Sequence, residues 1–300
     1  MRLNVIKNKN YWLFLSGFLV IASIVLVIYP GLKFGVDFTG GSLMEIEFDK
    51  PVSIGSLRQT FEEAGYKDST IQTTGEQGYL VRTQALSEEE HQAVLNAART
   101  AHGNLNELSF ESVGPIIGSE LRKTATIGVI LTLVLIGLYV AWAFRKVSEP
   151  VASWKYAAIT VLTAFHDVII MLGAFTLFGI WFGWEVGAAI VAAALTVLGY
   201  SINDTIVVFD RTRENLLRRT SSSLTETVEQ SIEQTILRSL NTSLTTILAL
   251  LAIFIFGGES TRPFALALII GIGIGSYSSI FLASPLLIVW EKMKSRKVAE

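Results

Sequence analysis

The chain has 300 residues, is 51% hydrophobic and 17% charged, and carries a formal net charge of −2 with no cysteine. Lack of cysteine excludes disulfides, thiol chemistry and cysteine-based metal centres, and a near-neutral chain with no basic stripe offers nucleic acid nothing to hold. The apolar excess is gathered in blocks too long for a soluble core, since crossing a bilayer takes about 20 apolar residues.

Six blocks predict six transmembrane helices: residues 11–29, 125–144, 156–178, 186–209, 240–256 and 264–290. The fold class expected is an α-helical polytopic membrane protein in three parts. Residues 1–29 form a cytoplasmic N-terminus and the first helix. Residues 30–124 form an outer domain. Residues 125–300 hold helices two to six with cytoplasmic loops and tail. The first block has a basic lead-in (Arg2, Lys7, Lys9), but no small-residue cleavage site follows it, so it reads as an uncleaved helix. Most of the 24 basic residues fall in the N-terminus, residues 145–155, residues 211–238 and the tail. By the positive-inside bias both termini are then cytoplasmic and residues 30–124 lie outside. Trp12, Trp142, Trp154, Trp181, Trp184 and Trp290 all stand near proposed helix ends, where amphipathic rings prefer the interface.

After the first helix, Gly40 and Gly41 permit positive φ and a tight entry into structure. Residues 42–48 alternate as a strand, residues 53–64 read as a helix capped by Ser53, and residues 70–74 and 79–83 are short strands around a glycine turn. Ser87–Glu90 is a capping box that opens a helix to about His102, and residues 105–113 make a last strand. The order βαββαβ predicts a ferredoxin-like arrangement, with another α+β cap as the alternative. Gly114, Pro115 and Gly118 then read as a hinge or as a simple turn.

The membrane half carries few ionisable residues. His166 and Asp167 fall at the centre of the third span, as a polar pair satisfied by neighbouring hydroxyls or as a second member of a proton path. Asn203 and Asp204 fall in the fourth span. A carboxylate in hydrocarbon costs roughly 2.5–3.5 kcal/mol on insertion scales, which marks a functional residue by default. Asp204 lies about 7.5 Å from the cytoplasmic exit at Phe209, with Tyr200 and Ser201 one turn back as expected hydrogen-bond donors. Asp210, Arg211, Arg213 and Glu214 follow as interfacial charges. Ser223–Glu226 reads as a further capping box, and Leu224, Val228, Ile232 and Ile236 as the stripe of an amphipathic helix, on the inner surface or against other helices. Arg238 opens the fifth span, as a topology anchor or as a partner reaching Asp204. Gly271 and Gly275 form a small-residue packing face on the sixth span, which Pro285 is expected to kink.

Together, residues 34–41 (FGVDFTGG), 113–118 (VGPIIG), 164–167 (AFHD), 199–215 (GYSINDTIVVFDRTREN), 238–246 (RSLNTSLTT) and 275–285 (GSYSSIFLASP) resemble the SecF family of bacterial protein-export membrane proteins. The resemblance implies an inner-membrane, non-enzymatic subunit, related to transporters of the resistance–nodulation–division class. Its implied partners are SecD, the SecYEG translocon, YajC, unfolded preproteins and protons. It implies no metal or organic cofactor. It also links Asp204 and Arg238 to proton flow, with Asn203, Asp167 and His166 as further relay candidates. Two rival readings exist. An intramembrane aspartyl protease would use Asp167 and Asp204, yet no G-x-G-D pattern surrounds either. A stand-alone proton-coupled exporter would need a second six-helix half.

Overall fold

Each apolar block becomes a helix, and most run well beyond the block that predicts them. The structure, a computed structural model, describes residues 4–145, 151–219, 221–258 and 261–299, with side chains through 293. The basic anchors read from the sequence at Arg2 and Lys146, and the side chains of Lys294, Arg296 and Lys297, lie outside the described residues. In chain order the elements are α1 (Lys9–Leu26, continued by a π turn, Val27–Gly31), α2 (Val36–Thr39), β1 (Gly41–Phe48), α3 (Ile54–Glu63), β2 (Thr70–Thr74), β3 (Gly78–Thr83), α4 (Glu88–His102), β4 (Leu105–Val113) and α5 (Pro115–Ala143). There follow α6 (Ser153–Trp181), α7 (Ala188–Leu217), α8 (Leu224–Phe256), α9 (Arg262–Ser278), a π turn at Ser279–Ala283, and α10 (Ser284–Ala299). Six helical stretches are long and apolar enough to cross a membrane, the last being α9 with its continuation to Met293.

Charged residues end a bilayer span without ending a helix. At the end of α7, Asp210 pairs with Arg213 at 2.7 Å, and Glu214 pairs with Arg211 at 2.6 Å and Arg218 at 2.7 Å. These pairs are three and four apart on one helix face, so the helix carries on through them. The amphipathic segment and the fifth span are likewise one helix of 33 residues. Its stripe packs against other helices: Val228 and Ile232 are buried with Tyr156, Phe209 and Leu287. The expected capping box at its start is half formed. Ser223 accepts from the Glu226 N–H, but the Glu226 carboxylate takes the Ser222 hydroxyl instead of returning to the cap. In the last span the irregularity lies in the π turn just before Pro285, whose missing N–H and bulky ring force the preceding turn to widen.

By contacts the chain forms two units: Phe34–Thr126, and Met1–Lys33 together with Ile127–Glu300. In the first, the sheet order is β2-β3-β1-β4 with every neighbour antiparallel, the ferredoxin-like topology. Central β1 turns Met44, Ile46 and Phe48 onto Leu57, Phe61, Val94 and Leu95 from α3 and α4. Ser53 caps α3, and Ser87 and Glu90 close a reciprocal capping box on α4. The two glycine motifs interlock here. Gly40 has φ +75, and a Cβ on it would lie 2.8 Å from Pro115 Cα. A Cβ on Gly118 would lie 3.0 Å from the Gly40 nitrogen, whereas Gly114 borders open space.

In the membrane unit α1 packs on α6, where a Cβ on Gly173 would strike Ser23 at 2.5 Å. The strap before α1 buries Val5 and Ile6 among Val228, Ile232 and Leu287. Their N–H groups donate to the two oxygens of Glu229 on α8, each at 2.8 Å.

Candidate functional site

The polar residues of the membrane unit converge where α6, α7, α8 and α9 meet. Small residues let the helices approach: Gly271 lies against Val197, and Gly275 against Ser201, where added Cβ atoms would clash at 2.2 and 2.8 Å. This contact brings the α9 serines onto the face of α7 that carries the acid.

Asp204 is 3% exposed. Among the described residues its one closed hydrogen bond comes from the Ser243 hydroxyl of α8, long at 3.5 Å. Ser243 in turn bonds Ser276 of α9. Ser239, one turn earlier on α8, faces the same carboxyl, but its buried hydroxyl closes no hydrogen bond. No cation lies within 4 Å of Asp204 among the described residues. Arg238 is exposed and closes no ion pair with Asp204 among the described residues.

Asp167 is held differently. It is fully buried and takes donors from three helices. His166 Nδ1 lies 2.8 Å from Oδ1, Ser278 of α9 donates to Oδ2 at 2.8 Å, and Ser201 of α7 donates to the same oxygen. His166 Nε2 is buried, with no partner among the described residues. Alongside, Thr205 and Ser279 bond each other at 2.9 Å, and Ser279 reaches the Ser201 carbonyl at 3.3 Å.

This arrangement corrects several expectations. Tyr200 does not serve Asp204: its hydroxyl faces Thr246 at 3.3 Å. Ser201 serves Asp167 instead, because helical side chains lean toward the helix N-terminus and its hydroxyl therefore leans away from the residue one turn on. Asn203 is adjacent in sequence but on the exposed face of α7. The residues that do line Asp204 were missed from the sequence. Ser239 and Ser243, four apart in RSLNTSLTT, had the spacing of one helix face, and Ser276 stood in GSYSS. Which way each face turned was not written there.

Residues 93–293 match the family model described as "Protein export membrane protein SecD/SecF, C-terminal", and residues 30–52 match the "SecD/SecF GG Motif". The chain belongs to the SecD/SecF family. Gly40, which interlocks with Pro115 and Gly118, and its neighbour Gly41 fall within the matched motif, and both acids within the C-terminal match. The chain is 40% identical over 301 residues to the protein translocase subunit SecF of Thermobaculum terrenum, covering 96% of this chain and 94% of that one. It is 37% identical over 268 residues to that of Pseudomonas aeruginosa, covering 88% and 83%. Among solved structures it is similar to SecDF of Thermus thermophilus, described as a translocon-associated membrane protein, with TM-score 0.84 and 36% identity. That match covers 97% of this chain but 39% of the SecDF chain, so the chain spans about two fifths of its length. A super-membrane-facing form of SecDF aligns with TM-score 0.71 at 35% identity, covering 100% of this chain and 40% of that one. Family membership places the chain in Sec protein export as a multi-pass membrane subunit.

Proposed function

We propose that this chain works as the SecF-type half of a SecD–SecF pair and that protons passing through Asp204 drive late preprotein export. The observation that carries the proton reading is the buried carboxyl of Asp204, lined by hydroxyls and held by one long hydrogen bond. A group so loosely held can take and release a proton without dismantling its surroundings, and an intramembrane acid reads as a relay by default. One charge crossing 100 mV is worth about 2.3 kcal/mol, enough to bias helix packing. No nucleotide hydrolysis enters this scheme.

The pairing reading rests on the outward faces of α7 and α8. Asn203, Arg238, Asn241, Thr242 and Thr245 are exposed along spans that the membrane surrounds. The side-chain amides of Asn203 and Asn241 make no hydrogen bond among the described residues. Bare amides in hydrocarbon are costly, which argues for a second helical subunit over this face. SecD is the partner we assign, Arg238 joins the relay at that junction, and the pair meets SecYEG, YajC and the emerging preprotein. Residues 30–124 are assigned to the periplasm and both termini to the cytoplasm of a bacterial inner membrane.

The test is Asp204→Asn in membranes holding equal amounts of the complex, with and without a proton gradient. Asn keeps the shape and cannot cycle a proton. Gradient-stimulated export should vanish while gradient-independent export persists; full stimulation would refute the relay.

A further inference from the structure

The two membrane acids look alike in sequence, and the hydrogen bonds around them differ in kind. Asp167 receives three donors, from His166, Ser201 and Ser278, and has no exposed surface. Asp204 receives one long one. Among the described residues no hydrogen bond joins the Asp167 network to the Asp204–Ser243–Ser276 network. The connection between them is mechanical. Ser201 lies one turn before Asp204 on α7, and Ser278 lies two residues after Ser276 on α9. A single oxygen, Asp167 Oδ2, therefore ties α7, which carries Asp204, to α9, which supplies Ser276.

We propose that Asp167 is a positioning residue, not a proton carrier: it clamps α7 to α9 so that Ser276 and Ser243 stand where Asp204 can exchange its proton. His166 completes the clamp from the same helix. Its Nδ1 holds Oδ1. This assignment rests on the relay reading of Asp204. The titratable groups on the helices that meet at the clamp are His166 on α6, Asp204 on α7 and Tyr277 on α9, whose hydroxyl turns to Ser16 of α1 at 3.1 Å. Arg238 on α8 is exposed. The faces of α1 and α5 packed on α6 bring Ser23 and the apolar Val129, Leu133 and Ile136.

The experiment compares Asp167→Asn, the pair Ser201→Ala and Ser278→Ala, and Asp204→Asn, each assembled with its partner subunits in vesicles at matched amounts. Gradient-stimulated export is followed across a pH series. Asp204→Asn should show no stimulation at any pH. Asp167→Asn should keep part of it, reduced about fivefold as befits a displaced hydrogen bond, and with its pH profile moved. The serine variants, which leave both acids in place, should move the profile in the same sense. Complete loss in Asp167→Asn at every pH would make it a carrier and overturn the proposal. An unmoved profile at matched amounts would make it a packing residue only, and would overturn it too. Full stimulation in Asp204→Asn would remove the relay itself, and the positioning role with it.

Discussion

Gly118 of α5 rests on Gly40: a Cβ on the former would stand 3.0 Å from the backbone nitrogen of the latter. The contact is backbone to backbone, so no side chain can swing away to make room. Gly40→Ala adds a second strain, since φ +75 is a region that Ala rarely adopts. Each alanine should destabilise the 34–126 unit by about 1–3 kcal/mol. Gly114→Ala, bordering open space, should stay within about 0.5 kcal/mol. Thermal unfolding of the purified full chain checks the contrast, and equal transitions for Gly114→Ala and Gly118→Ala would contradict it.

Glu229 holds the strap before α1 by two backbone N–H groups. Hydrogen bonds to a charged acceptor are worth about 1.5–3 kcal/mol each when shielded, less at this half-buried site. Glu229→Ala should let the Val5 and Ile6 amides exchange with deuterium about tenfold faster, the counterpart of about 1.4 kcal/mol. Glu229→Gln should release the strap nearly as well, because its amide turns an N–H toward one of the two donors. Unchanged protection at both amides would show that apolar burial alone seats the strap.

Lys155 of α6 and Glu291 of α10 form an ion pair at 2.6 Å with side chains 4% and 20% exposed. Removing one partner leaves a poorly solvated charge, so Glu291→Gln should cost about 3 kcal/mol. The double variant Lys155→Met, Glu291→Leu should recover most of that loss. A double-mutant cycle on unfolding midpoints measures the difference, and additive losses would argue against coupling.

Span number was legible because length and apolarity alone decide whether a block can cross a bilayer. The domain topology was legible too, since the capping box at Ser87 and the strand alternation around Met44 are local signals. Helix ends were harder. The charges from Asp210 to Glu214 end the apolar run, yet they pair along the helix and extend it. Hardest was the rotation of each helix about its axis. Spacing places Ser201 beside Asp204, but only the packing of Gly275 against Ser201 and the bond to Asp167 reveal that the serine serves the other acid. The same rotation turns Asn203 outward and Ser243 inward.

Arg238 is the residue for which sequence and geometry diverge most usefully. Its side chain is exposed and, among the described residues, closes no ion pair or hydrogen bond. Arg238→Met should therefore leave protein amount and unfolding midpoint unchanged. Export should nevertheless suffer, because the guanidinium lies at the face assigned to the partner. Loss of a charge-assisted contact at that junction predicts a fall of about tenfold or more in gradient-stimulated export. Arg238→Lys keeps the charge and loses the planar fork, and should fall between the two. A topology anchor behaves otherwise: Lys would substitute fully, and Met would weaken the cytoplasmic retention of the α7–α8 loop. Reporter fusions after Arg218, read alongside export at matched protein levels, separate the two roles. Normal orientation with severe export loss supports the relay junction, and altered orientation with proportionate export loss returns Arg238 to the membrane boundary.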